Sequence, residues 1–336
     1  MITEAIQKLA KNQNLSSEII KNSFIEIIEG KASEAQTAAF LMGLSMKGET
    51  EEEILATVQL FREYVIKINS PPGTIDIVGT GGDMSGTFNV STATSFVVAG
   101  AGVPVAKHGN RSASSQCGSI DVLEELGVKV DMPPEVAERC LFDCGITVLF
   151  APIYHPAMKR VVPIRRELKI RTIFNILGPM LNPASVKRQL IGVFSKQYME
   201  TIAKVLSTLG SEDIAIVHSE DGLDEVSISN NTYLVRIKNG KLYTTTVAPK
   251  DFGLQRASLD KIKGGDKKKN AEMIISMLKG KKDAVRDMVL INAAVALVVA
   301  GKAKNFIEAT EIARESIDSG KAYDKLETLK KLSHIN

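Results

Sequence analysis

The sequence predicts an α/β protein in which a small all-helical domain is hinged to a larger α/β domain with a central, mostly parallel sheet. Three observations carry that expectation. The first seventy residues read as helices only; Asn69-Ser-Pro-Pro-Gly73 then interrupts the chain as a hinge or domain border does; beyond it, short apolar runs alternate with Gly-rich turns and helical stretches. A length of 336 residues suggests about two domains. A hydrophobic fraction of 44% is ample for a sizeable core, which excludes global disorder and fibrous architectures.

In the helical part, Ser33-Glu-Ala-Gln36 and Thr50-Glu-Glu-Glu53 match the capping box, in which a hydroxyl and a residue three positions later bond each other's free backbone N–H groups. Each opens an apolar-periodic stretch: Ala38, Phe40, Leu41 and Leu44 in one, Ile54, Val58, Phe61 and Val65 in the other. Past the break, the runs at 75–78, 103–106, 146–150, 190–194 and 214–217 are continuously apolar, as parallel strands buried on both faces are. Helical stretches around 91–99, 122–126, 134–142 and 199–209 fall between them. The runs 232–237 and 241–247 flank Asn239-Gly240, a strong signal for a type I′ hairpin. From about Asn270 the chain returns to helices, and 261–269 reads as a basic, Gly-containing surface loop.

With 42 basic and 39 acidic side chains, the net charge of +3 is too slight to advertise a nucleic-acid or membrane-surface protein. There is no Trp, and 5% aromatic residues argue against an aromatic-rich recognition surface. Cys117, Cys140 and Cys144 cannot all pair and form no Cys-x-x-Cys, so zinc-ribbon sites are excluded and a reducing compartment is expected. The N-terminus lacks the basic start and apolar stretch of a signal peptide. The most apolar run, Met288 to Ala300, contains Asn292 and is shorter than the ~18–20 residues of a membrane span, so it is expected as a buried core helix. The expectation is a cytoplasmic protein without a membrane segment.

Four segments carry chemistry. Ile75-Asp-Ile-Val-Gly-Thr-Gly-Gly-Asp83 puts glycines directly after a buried strand, and Asn89-Val-Ser-Thr92 opens a helix. Converging N–H groups and the helix dipole make such a junction an anion site. It is neither a P-loop nor a Rossmann fingerprint, since no Gly-Lys-Ser/Thr follows and Met84 stands where the third glycine belongs. A tight turn explains the glycines alone; Asp83, Thr87, Asn89, Ser91 and Thr92 together point to phosphate and hydroxyl binding. The second segment, 106–119, combines Lys107, Arg111, Ser112, Ser114, Ser115 and Ser119 with glycines, and charge-assisted bonds to phosphate are the strong ones. Two such loops on neighbouring strands suggest a substrate with more than one phosphate. Third, Asp224-Glu225 follows the strand at 214–217. A solvated turn is its default, but beside a polyphosphate such a pair suits Mg²⁺, held by one or two carboxylates plus phosphates and water. Fourth, the cationic stretch from His155 to Arg171 is either a solvated helix face or the source of an Arg that grips a small carboxylate bidentately.

Together these segments resemble the anthranilate phosphoribosyltransferases. The matching signatures are Gly79-Thr-Gly-Gly-Asp83, Asn89-Val-Ser-Thr92, Lys107-His-Gly-Asn-Arg-Ser-Ala-Ser-Ser115, Gly118-Ser-Ile-Asp-Val-Leu-Glu-Glu-Leu-Gly127, His155-Pro-Ala-Met158, Arg171-Thr-Ile-Phe-Asn-Ile-Leu-Gly-Pro179 and Asp224-Glu225, in family order over most of the chain. The resemblance implies a nucleoside phosphorylase-like phosphoribosyltransferase fold, with a helical domain of residues 1–70 joined by about 162–182 and an α/β domain within 71–336. It implies transfer of a phosphoribosyl group from 5-phosphoribosyl 1-diphosphate (PRPP) to the anthranilate nitrogen, a step of tryptophan biosynthesis. It also implies a homodimer packed through the helical domains, without nucleic acid or membrane partners. By analogy, Gly79, Gly82, Asp83, Thr87, Asn89, Val90, Ser91, Thr92, Lys107, His108, Gly109, Asn110, Arg111, Ser112, Ala113, Ser114, Ser115 and Ser119 would hold PRPP. Gly79, Asn110, His155, Arg165 and Pro179 would take anthranilate, and Ser91, Asp224 and Glu225 would position Mg²⁺. Lys107 and His108 are the candidates for a catalytic part, in a reaction expected to rest on positioning and electrostatics. A pyrimidine nucleoside phosphorylase is the nearest rival; the full Gly-Thr-Gly-Gly-Asp and the Asp224-Glu225 pair favour the transferase. A nucleic-acid-binding relative on the same fold should show degraded loops and a larger basic surplus.

Overall fold

The structure is a computed structural model that describes residues 1–82, 85–111 and 116–335. It divides into two compact units, Met1–Ile66 with Pro152–Leu181 and Lys67–Ala151 with Asn182–Asn336.

The first unit is built from helices Ile2–Leu9, Ser17–Ile28, Glu34–Lys47 and Glu51–Glu63, completed by the short helices Val161–Leu168 and Phe174–Leu177. Both expected capping boxes form, Ser33 with Gln36 and Thr50 with Glu53. Glu53 does more than cap: its buried carboxylate also accepts from Leu15 N–H (2.8 Å) and Lys47 Nζ (2.8 Å), so the charge is fully partnered. The core centres on aromatic rings. Phe24 meets Phe40, Phe61 and Phe174 edge to face at 5.1, 5.4 and 5.7 Å, and Phe61 meets Phe174 at 5.4 Å. Phe174 comes from the second stretch of chain, as does Tyr154, whose carbonyl accepts from Ile66 N–H (3.0 Å).

The second unit holds a seven-stranded sheet of order β3-β2-β1-β4-β5-β6-β7. Its strands are β1 (Ile75–Gly79), β2 (Val105–Gly109), β3 (Ile146–Phe150), β4 (Arg188–Gly192), β5 (Asp213–Ser219), β6 (Thr232–Lys238) and β7 (Lys241–Val247). The first five run parallel; β6 and β7 add an antiparallel hairpin. Asn239 and Gly240 take φ of 49° and 74°, the two left-handed residues a type I′ turn needs. Strand β2 forms two residues later than the apolar run suggests, because Lys107 and His108 belong to it; both are buried and bonded there. Helix Val90–Gly100 packs on β1 and β2, and Ala284–Val299, buried along almost its whole length, packs on Val90–Gly100, β4 and β5. No helix among the described residues is long and apolar enough to cross a membrane.

Candidate active site

The strand order leaves β1 between β2 and β4, so the chain departs from β1 on one side and returns on the other. The carboxyl ends at such a reversal form the ligand crevice of open parallel sheets. Here β1 and β4 end on paired glycines, Gly79 and Gly192. The loop after β5 crosses both. A Cβ on Gly192 would stand 1.4 Å from the Asp224 carbonyl oxygen, and one on Gly79 would stand 2.5 Å from Asp224 Oδ2. The same Oδ2 accepts from Gly81 N–H at 3.0 Å, and Gly81 needs its φ of +67° to present that donor. Thr80 ties the strand ends together, donating its N–H to Gly192 O (2.9 Å) and accepting from Phe194 N–H at its hydroxyl (3.0 Å).

Helix Val90–Gly100 begins beside this loop. Its N-cap, Asn89, makes no side-chain cap bond. The Asn89 amide instead donates to Cys117 O (3.2 Å) and accepts from Asn270 Nδ2 (2.9 Å), fastening the first loop to the second and to helix Lys267–Leu278. The first-turn N–H groups of the helix have no intrahelical partners, which gives the end its affinity for anions. The basic 261–269 segment is more than a surface loop. Lys263 bridges Thr87, and Gly264 N–H donates to Gly86 O (2.9 Å).

Beneath the two loops lies a buried charge pair. Lys107 Nζ donates to Ile77 O (2.8 Å) and Ser91 Oγ (3.2 Å). Burial lowers its pKa to about 8, opposed by Asp76, Glu225 and Asp224. Asp76, wholly buried in β1, accepts from Asn182 Nδ2 (2.7 Å) and His108 N–H (3.2 Å). Burial raises its pKa to about 6, against the Asn182 bond and the Lys107 charge. In the second loop, Arg111 pairs with Asp121 (3.0 Å) and Glu124 (2.6 Å). Asn110 Oδ1 accepts from Arg111 N–H (2.8 Å), and Ser119 Oγ donates to Asn110 O (3.4 Å). The expected residues Asp83, Ser112, Ala113, Ser114 and Ser115 lie outside the described residues.

The acidic loop is rigidly built. The Asp221 carboxylate accepts from the hydroxyls of Ser219, Ser227 (2.7 Å) and Ser229. Two carboxylates and the Ser91 hydroxyl are hard oxygen donors and suit Mg²⁺, a metal that keeps waters and phosphates for its other positions. Among the described residues no larger cluster of His, Cys, Asp or Glu could hold a metal.

The remaining expected residues belong to the helical unit. His155 is buried, and that burial lowers its pKa to about 4. Arg165 lies over the Phe174 ring at 5.4 Å, its pKa lowered by burial, with no carboxylate partner among the described residues. Pro179 is buried in the turn Gly178–Leu181.

Comparison with known proteins places this architecture. The family models described as glycosyl transferase family, helical bundle domain, and glycosyl transferase family, a/b domain, match residues 3–65 and 71–323. The chain is 50% identical over 324 residues to the anthranilate phosphoribosyltransferase of Rhodopseudomonas palustris strain HaA2, covering 96% of each. It is 47% identical over 336 residues to that of Aquifex aeolicus strain VF5, covering 99% of each. The chain belongs to the anthranilate phosphoribosyltransferase family. Among solved structures, the anthranilate phosphoribosyltransferase of Thermus thermophilus superposes with a TM-score of 0.91 at 37% identity, over 98% of this chain and 99% of that one. The Saccharomyces cerevisiae enzyme in complex with PRPP and Mg superposes with a TM-score of 0.90 at 30% identity, over 99% and 97%. The same yeast enzyme in complex with 4-fluoroanthranilate gives 0.88 at 28% identity, over 99% and 97%.

Against the signatures of anthranilate phosphoribosyltransferases, sequence reading overlooked three supporting residues: Asp76, Asp221 and Gly192. Asp76 interrupts an apolar strand, a signal that was there to be read; Gly192 carries none, because its neighbour is a backbone carbonyl 32 positions away in the chain.

Proposed function

We propose that the chain is an Mg²⁺-dependent anthranilate phosphoribosyltransferase, transferring the phosphoribosyl group of PRPP to the amino group of anthranilate with release of pyrophosphate, in tryptophan biosynthesis. The observation that carries this reading is the convergence of two glycine-containing loops, the open N-terminus of Val90–Gly100 and the Asp224–Glu225 pair at the ends of β1 and β4. In this reading PRPP lies on Gly79, Gly82, Asp83, Thr87, Asn89–Thr92, Lys107–Ser115 and Ser119. Asn89 and Arg111 contribute mainly through the loops they shape, since their side-chain polar groups are already bonded within the protein. Ser91, Asp224 and Glu225 hold the metal.

Breaking the bond from C1′ to the diphosphate develops positive charge on the ribose and negative charge on the leaving group. Backbone donors fixed in the loops and the helix end face that negative charge without reorganising, and Lys107 adds a cation beneath them. Mg²⁺, when bound, supplies Lewis-acid neutralisation of the diphosphate. The anthranilate nitrogen is already neutral near neutral pH, so no strong base precedes attack and positioning dominates. His108 serves the loop's shape in this reading. Arg165 is suited to the anthranilate carboxylate, being a desolvated guanidinium steadied on Phe174. Asn110, His155, Pro179 and Gly79 complete the acceptor site.

We also place the enzyme in the cytoplasm as a homodimer joined through its helical unit. Ala35, Ala39, Met42 and Met46 share an exposed face of helix Glu34–Lys47, and Met46 is 77% exposed.

The test is direct. Anthranilate fluorescence should fall only when the enzyme, PRPP and Mg²⁺ are all present, and a chain without Trp adds no indole emission of its own. Retained fluorescence in the complete mixture would overturn the proposal.

A further inference from the structure

Helix Ala284–Val299 is lined with apolar side chains, yet at its middle stands a buried amide, Asn292. An amide buried without partners costs about 1–3 kcal/mol, so its bonds explain its presence. Asn292 Oδ1 accepts from Val226 N–H (2.9 Å), while Nδ2 donates to Val226 O (2.9 Å) and to Met288 O (2.9 Å). It therefore clasps both backbone groups of one residue, as a neighbouring strand would.

Val226 directly follows Glu225. On the other flank, Asp224 is held by Gly81 N–H and rests on Gly192. The two carboxylates are thus strung between fixed points, one of them supplied by the core helix. Among the described residues of the loop, the Asp221 cluster ties Ser219, Ser227 and Ser229 and leaves Val226 to Asn292.

We propose that Asn292 is a positioning residue for the divalent cation, setting the orientation of the Asp224–Glu225 pair from the hydrophobic core. The proposal rests on the reading of that pair as the metal site. Ordering the carboxylates on folding leaves less to be ordered on binding, and residues that orient metal ligands typically govern affinity by 10–100-fold.

The experiment titrates Mn²⁺ with the full-length protein in the presence of inorganic pyrophosphate, following free Mn²⁺ by electron paramagnetic resonance. Asn292→Leu removes the clasp at similar volume and should raise the Mn²⁺ dissociation constant by at least ~10-fold. The KM for anthranilate should change by less than about two-fold, as expected if uniform substrate binding is untouched. Val289→Ala, an apolar truncation on the same helix, controls for lost stability and should leave Mn²⁺ affinity unchanged. A folded Asn292→Leu with wild-type Mn²⁺ affinity overturns the proposal. So does a Val289→Ala protein that loses Mn²⁺ affinity equally. If Asn292→Leu does not fold, Asn292→Ser replaces it under the same criteria. The joint variant Asp224→Ala with Glu225→Ala separates the two readings: unchanged Mn²⁺ affinity there sinks the metal site itself, whereas loss there with no effect at Asn292 sinks only the role of Asn292.

Discussion

Lys107 and Asp76 sit in adjacent strands with opposite charges, each pushed by burial toward its neutral form and each drawn back by the other. Burial and mutual attraction thus oppose each other in this pair, which lies beneath the two glycine-containing loops. His155 is different, since burial lowers its pKa to about 4 from 6.5. The unfolded chain takes up that proton near the ordinary value and the folded chain only near the lowered one. The stabilisation is therefore complete above the unfolded value and is lost as the pH falls through the window toward the folded one. Between about pH 7 and pH 5 the loss should be about 2 kcal/mol from this group. Urea melts of the native protein and of His155→Gln should show it: the native protein loses that much more stability on acidification, and parallel losses would refute the assignment.

At the scale of elements, the turn at Asn239-Gly240 is the most exposed test of local sequence logic. Gly240 has φ of +74°, so Gly240→Ala should cost about 1–2 kcal/mol in denaturant melts while leaving kcat unchanged. That hairpin, the capping boxes and the apolar strands were legible in the sequence because neighbouring residues determine them. The failures share a cause. Strand β2 runs beyond the apolar run because Lys107 and His108, loop-like residue types, are received by Ile77 and Asp76 of the neighbouring strand. Asn292 reads as a flaw in an apolar run, since its partner Val226 lies 66 positions away. Asn182 likewise finds Asp76 across 106 positions. Of the candidate site, the glycine and carboxylate motifs were readable, while the residues that hold them depend on pairings formed only on folding.

For the molecule as a whole, the net charge of +3 conceals separation: Lys107 and the 261–269 segment lie near the two glycine-containing loops, and the acidic loop after β5 crosses the same strand ends. The exposed apolar face of helix Glu34–Lys47 bears on assembly. Carboxylates there would have to be desolvated in a packed interface, so Met42→Glu with Met46→Glu should convert the proposed dimer to monomer by light scattering, with the circular dichroism unchanged. A dimer of undiminished mass would exclude this face as the interface. The division of the helical unit between two stretches of chain also bears on how the protein is made. Phe24, Phe40 and Phe61 leave the ribosome long before Phe174, the ring that closes their cluster. At ~5–20 residues per second the gap of roughly a hundred residues lasts on the order of ten seconds. Through that interval the nascent N-terminal helices hold an incomplete aromatic core, and their packing is finished only when the second stretch of chain arrives.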